Sequence, residues 1–183
     1  MIFPLFRRGE RRDTISALYG MIVAQARLPC FYRDYAVADT VNGRFDLIVL
    51  HLALVLDRLA QEPALRDLGQ GVFDLFCQDM EHNLREMGIA DLKVPKEMQR
   101  MGEAYYGRAQ AYREALAATG GLALADAIAR NIYGGSPPAA AVATRLAAYT
   151  RLAVGELRAQ GAAGLAAGEL RLPDPAAIPA TTG

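Results

Sequence analysis

The sequence predicts an all-α protein: a single-domain bundle of about six main helices with a flexible C-terminal tail. Three observations carry this. Apolar residues recur at three-four spacing through most of the 183 residues, alternating runs of β-branched residues are lacking, and glycine or proline falls between the periodic segments. A length of 183 residues suits one domain, and a 52% hydrophobic share is enough to fill its core, which argues against disorder throughout.

The first helix starts near Asp13, a suitable cap, and carries Ile15, Leu18, Tyr19, Ile22, Val23 and Ala26. It ends near Pro29, because the residue before a proline is pushed out of helical geometry. An irregular segment over 30–43 follows, with three aromatic residues, Phe31, Tyr32 and Tyr35. The second helix, over about 43–61, is apolar on almost every side. Phe45, Ile48, Val49, Leu52, Val55, Leu56 and Leu59 form one face, while Leu47, Leu50 and Leu54 occupy the other, interrupted by His51. Such a helix must be buried centrally or lend part of its surface to a partner. It is too short to span a bilayer, since the uncharged stretch between Asp46 and Asp57 is half of the roughly 20 residues required.

Pro63 turns the chain into a third helix over 64–87, with Leu65, Leu68, Val72, Phe76, Met80, Leu84 and Met87 inward and Arg66, Asp67, Gln70, Asp74, Gln78, Glu81 and Arg85 outward. Gly88 ends it, and residues 89–95 connect to a fourth helix that carries Met98, Met101, Tyr105, Ala109, Tyr112 and Leu116 as far as Gly120. A short fifth helix covers 122–133. A sixth runs to about residue 160, with Val142, Leu146, Tyr149, Ala153 and Leu157 inward. From Gly161 the residues are mostly Ala, Gly and Pro, which predicts a mobile tail with one helical piece over 165–170. The organisation expected is therefore a tip over 1–12, a helical domain over 13–160 and a tail over 161–183.

Twenty basic and twenty acidic side chains cancel, so the charge balance gives no support to nucleic-acid binding. The local exception is the start, where Phe3 and Phe6 precede Arg7, Arg8, Arg11 and Arg12. An apolar tip followed by arginines suits peripheral contact with an anionic membrane surface as well as it suits a frayed, solvated terminus. Its order is the reverse of a secretory signal. Two cysteines, Cys30 and Cys77, imply no disulfide framework and fit a reducing cytoplasm.

Chemistry is hard to find. Two histidines, His51 and His82, are too few for a di-iron carboxylate bundle, and Asp79-x-x-His82 stands alone. Cys-x-x-Cys pairs, Gly-x-Ser-x-Gly and phosphate-cradling loops are missing. No catalytic residue, metal or cofactor is expected. The alternative is a haem-handling protein with His51 as ligand, and a further one is an unrelated peripheral membrane protein tethered by residues 1–12.

What stands out is a set of polar residues at awkward places: Arg27, Tyr32, Asp39, Thr40, Arg44, Asp46, His51, Arg85, Glu86, Asp91, Tyr106 and Arg108. Arg44, Arg85 and Arg108 can pair internally with nearby acids. They can also form a recognition surface, since arginine and tyrosine beside apolar groups are enriched at interaction hot spots.

The same residues resemble the ubiquinol-cytochrome c chaperone family, assembly factors of the respiratory cytochrome bc1 complex. The likeness runs through Ala26-Arg27-x-Pro29, Phe31-Tyr32, Asp39-Thr40-x-x-Gly43-Arg44-Phe45-Asp46 and His51, then Phe73-Asp74-x-Phe76 and Asp79-Met80-x-x-x-Leu84-Arg85-Glu86-Met87-Gly88. It continues with Asp91-Leu92-x-Val94, Lys96, Met98, Tyr106-Gly107-Arg108 and Tyr112; Ala90 stands where the family commonly has glycine. The resemblance implies a non-enzymatic helical chaperone with newly made cytochrome b, or another membrane-protein client, as its partner. In mitochondrial members a second assembly factor takes part. It also implies a bacterial relative in the cytoplasm, at the inner face of the membrane. Tyr32, Tyr35, Tyr105 and Tyr106, with Met80, Met87, Met98 and Met101, are the side chains expected to line an adaptable client surface. On the second helix, the edge over 39–46 and His51 are expected to face the client.

Overall fold

A computed structural model of the chain describes residues 3–119, 121–135 and 140–180, without the side chains of 3–8 and 10. Among the described residues there are helices and turns and no strands. Six long helices carry the fold: α1 (Phe3–Ala26), α3 (Val41–Ala60), α4 (Arg66–Glu86), α5 (Val94–Ala117), α6 (Leu122–Ile132) and α7 (Ala140–Ala159). Two five-residue helices, α2 (Pro29–Arg33) and α8 (Ala162–Ala166), and two 3-10 turns complete the described chain.

Local sequence sets most of the boundaries. α1 begins ten residues before the expected cap at Asp13, because residues 5–12 hold good helix formers and the one proline, Pro4, sits in the first turn, where its missing N–H is harmless. Thr40 caps α3, its Oγ1 accepting from the Gly43 amide at 3.1 Å. Gly43 is required there for a second reason. A Cβ at this position would lie 2.0 Å from the Ala38 carbonyl oxygen, so the first turn of α3 reaches the preceding loop only with glycine.

The surplus apolar surface of α3 is answered by centrality. α3 touches α1, α4, α5, α6 and α7, and thirteen of its twenty residues are buried. Leu47 and Leu50 have no exposed surface and Leu54 is 5% exposed, so the face opposite the main stripe is covered as well. Each such leucine contributes roughly 1.5–3 kcal/mol of transfer free energy.

Side-chain pairs give the directions of the helices. Arg11 meets Asp67, a Cβ on Gly71 would strike Ile15, and the Tyr19 hydroxyl donates to Asp79, so α1 and α4 run parallel. Gly69 lies against Leu59, Phe73 against Tyr105, and Arg151 reaches the Gly121 carbonyl, so α3–α4, α4–α5 and α6–α7 are antiparallel neighbours. The bundle is thus up-and-down. One end gathers the C-termini of α1, α4 and α6 with the N-termini of α3, α5 and α7; the other end gathers the opposite termini.

Two expectations are corrected. The loose tail does not begin at Gly161, because the chain over 162–178 is fastened to the bundle. Leu165 is fully buried, the Tyr35 hydroxyl donates to the Pro175 carbonyl at 2.6 Å, Gln25 donates to the Pro173 carbonyl at 2.7 Å, and Arg145 reaches the Ile178 carbonyl at 2.7 Å. The helical piece lies at Ala162–Ala166, ahead of the expected 165–170. Met87, placed inward by its spacing, is 54% exposed because α4 ends at Glu86 and the chain turns away.

Candidate functional site

The C-terminus of α1, the N-terminus of α3, the C-terminus of α4 and the α4–α5 connection bring most of the polar residues singled out in the sequence to one end of the bundle. Arg27, Tyr32, Asp39 and Arg44 line one open cleft there, with Pro29 and Arg33. The Tyr32 hydroxyl donates to the Ala26 carbonyl at 2.9 Å, which ties α2 to the end of α1. Arg44 Nε donates to Asp39 at 2.7 Å across the Thr40 cap, and each partner holds the other ionised. Arg27 is exposed and forms no ion pair among the described residues.

At the end of α4, Arg85 donates to Glu81 at 2.9 Å and to Asp91, closing the α4–α5 connection, while a Glu86 carboxylate oxygen lies 3.1 Å from His82 Nε2. These side chains are half exposed or more, so the pairs shape a surface more than they stabilise the fold. Arg108 of α5 is different. It meets Asp46 of α3 at 2.8 Å, with its guanidinium 5.7 Å from the Phe45 ring centre. Burial pushes the Asp46 carboxyl up to about 6, against the opposing pull of Arg108. Arg108 Nε and the Tyr112 hydroxyl, both buried, lack hydrogen-bond partners, so this inner edge of the site is incompletely satisfied.

His51 does not belong to the site. It has no exposed surface; its Nδ1 lies 2.7 Å from the Leu47 carbonyl and its Nε2 lies 2.8 Å from the Tyr149 hydroxyl. A carbonyl only accepts, so Nδ1 carries the proton and Nε2 accepts from Tyr149. The Tyr149 oxygen in turn accepts from Gln25 at 2.9 Å. This chain joins α1, α3 and α7 in the dry interior, and desolvation lowers the imidazole to about 4. With both ring nitrogens engaged, His51 offers no position for haem iron and no contact for a client. The expectation failed because sequence spacing cannot tell a satisfied core histidine from an exposed one.

Other expected lining residues divide. Tyr35 is fully buried, Tyr105 and Met80 are each 6% exposed, and all three pack in the core. Met98 and Met101 are half-buried. Tyr106 is 63% exposed, leaning on Phe73 and Tyr105, and Met87 is open to solvent. Two residues at this end were not among the expected contacts: Val41 is 65% exposed on the first turn of α3, and Leu92, noted in sequence only as part of the family pattern, is 96% exposed between α4 and α5. The available signal was an apolar residue outside every helical stripe. The expected membrane contacts Phe3, Phe6, Arg7 and Arg8 have side chains outside the described residues. Among the described residues no helix is long and apolar enough to cross a membrane, and no cluster of His, Cys, Asp and Glu could hold a metal.

The site offers apolar side chains in water, framed by arginine–carboxylate pairs, an arrangement suited to contact with a partner. The family pattern described as ubiquinol-cytochrome C chaperone matches residues 33–172 of the chain. This chain belongs to the ubiquinol-cytochrome c chaperone family. The crystal structure of the Cbp3 homolog from Brucella abortus is similar at 38% identity and a TM-score of 0.87, covering 98% of this chain and 100% of that one. No curated protein matches. Membership of the family implies a chaperone role and a protein client, in accord with a site built for contact.

Proposed function

We propose that this chain is a non-enzymatic assembly chaperone of the respiratory cytochrome bc1 complex, and that it receives an apolar segment of newly made cytochrome b at the bundle end described above. The observation that carries the reading is the grouping of exposed Val41, Met87 and Leu92 at the same end as Arg27, Arg44–Asp39 and Arg85–Asp91. Exposed apolar side chains are stabilised by a covering partner at roughly 25 cal/mol per Å², before the costs of association. Thr40, itself exposed, holds the first turn of α3 in place as its cap, and buried Asp46 supports the surface from beneath through Arg108. Glu86, Tyr106 and Arg108 extend it along α4 and α5.

Work at the inner face of a bacterial cytoplasmic membrane belongs to the same proposal, with the tip bearing Phe3, Phe6, Arg7 and Arg8 as the contact. A helix rises 1.5 Å per residue, so Arg8 and Arg27 stand about 28 Å apart along α1. Membrane and client contacts are therefore separable. Replacing Leu92 and Met87 by Asp in the full chain tests the client surface: cytochrome b and assembled complex fall while the chaperone's melting temperature stays unchanged. Normal complex content in cells carrying the double variant would sink the reading. Co-sedimentation with anionic vesicles, compared before and after Arg7→Glu and Arg8→Glu, tests the tip; equal binding excludes it.

A further inference from the structure

The opposite end of the bundle holds a concavity that the client surface does not use. It lies between the C-terminal halves of α3, α5 and α7 and encloses about 140 Å³. Leu54, Tyr112, Leu116, Val154 and Leu157 wall it. That volume is close to the engineered cavity of about 150 Å³ that takes up benzene, so it admits one ring or a short acyl chain.

The mouth is unlike the walls. Exposed Arg113 and Arg158 stand at the surface with buried Arg58 behind them, and Asp57 is the one carboxylate among the lining residues. Asp57 is already engaged by Arg113 Nε at 3.1 Å. Arg58, 7% exposed, donates to the Leu157 and Gln160 carbonyls at 3.0 and 2.9 Å and lies 3.5 Å from Glu62. Arg158 is exposed and forms no ion pair among the described residues. A buried guanidinium anchored on helix-end carbonyls supports the rim, and a free one stands above it. An anionic head at the mouth would meet complementary charge, and a cationic head would meet repulsion.

We infer that this pocket is a binding site for a small amphipathic carboxylate, whose single ring or short acyl chain fills the apolar interior while its carboxylate meets Arg158 and Arg113 at the mouth. The charge at the rim selects the anion, and the volume sets an upper limit on the apolar part. A longer chain would have to leave the pocket.

The test uses the full chain with hexanoate and 3-phenylpropionate as probes, and hexanol and hexylammonium as matched controls, followed by backbone amide shifts in NMR titrations. The expected result is saturable binding of both acids, with shifts confined to residues 53–61, 109–117 and 154–158, and hexylammonium at least tenfold weaker. Arg158→Glu, on the exposed rim, weakens the acids at least tenfold. Val154→Phe, which fills the interior from a half-buried position, abolishes them, with thermal melts verifying that each variant is folded. Equal affinity for the acid, alcohol and amine would overturn the inference. So would shifts centred elsewhere, indifference to both variants, or preferential binding of an acidic peptide bearing one phenylalanine over the free acids.

Discussion

His51 makes a quantitative prediction about the interior. Its folded-state value of about 4, against an ordinary 6.5, means that the unfolded chain takes up a proton more readily than the folded one. The stability this neutral imidazole contributes is fully present above pH 6.5 and is lost as pH falls toward 4. The shift sets a ceiling of about 3 kcal/mol, most of which is lost between pH 7.5 and 4.5. His51→Phe removes the titration. It also leaves the Tyr149 hydroxyl without its acceptor and crowds Phe31, whose ring lies 5.4 Å from the imidazole, which together costs about 3 kcal/mol at pH 7.5. Urea unfolding of both proteins at steps from pH 7.5 to 4.5 gives the difference between them, in which titrations common to both cancel. That difference should shrink by about 2–3 kcal/mol on acidification. A constant difference across the range would refute the neutral, doubly bonded histidine.

Asp46 runs the other way: its folded value of about 6, against 3.8, places its stabilising contribution below pH 3.8 and removes it as pH rises through about 6. Asp46→Asn should therefore lose stability on acidification more steeply than the parent, by about 1–2 kcal/mol over the same urea series; an identical slope would count against burial as the dominant influence. Gly43→Ala gains up to about 1 kcal/mol of helix propensity but drives a methyl into the Ala38 carbonyl, so a net loss of about 1–3 kcal/mol is expected in chemical unfolding. Leu165→Ala, in the segment read from sequence as loose, should cost about 2–5 kcal/mol by calorimetry, whereas a mobile tail would make it neutral.

Much of the fold was legible because amphipathic spacing reports burial directly. The stripes of α4, α5 and α7 hold at Leu68, Val72, Phe76, Tyr105, Tyr112, Leu146 and Leu157, all buried as their positions require. The unusual helix over 43–61 was legible in kind, as a segment in need of cover, and its central place among five others answers that need. Long-range anchoring was illegible. Pro173, Pro175 and Ile178 are held through their backbone carbonyls by Gln25, Tyr35 and Arg145, partners 33 to 148 residues away, and no local pattern records such a bond. The candidate site was partly legible for the same reason. Arg44 and Arg85 find carboxylates five and six residues off, whereas Asp46 finds Arg108 on another helix and His51 finds Tyr149. Val41 and Leu92 were not read as contact residues because a lone apolar residue near a turn looks ordinary until its exposure is known.

Two leucines of equal chemistry allow the most direct test of the proposed client surface. Leu92 is 96% exposed at the end bearing Arg27, Arg44 and Arg85, and Leu122 is 74% exposed at the opposite end, on the first turn of α6. A photoreactive residue placed at either position in the full chain, activated in cells making the bc1 complex, reads out which end holds cytochrome b. The account predicts a cytochrome b cross-link at 92 and none at 122. Cross-linking at 122 alone, or equally at both positions, would contradict it.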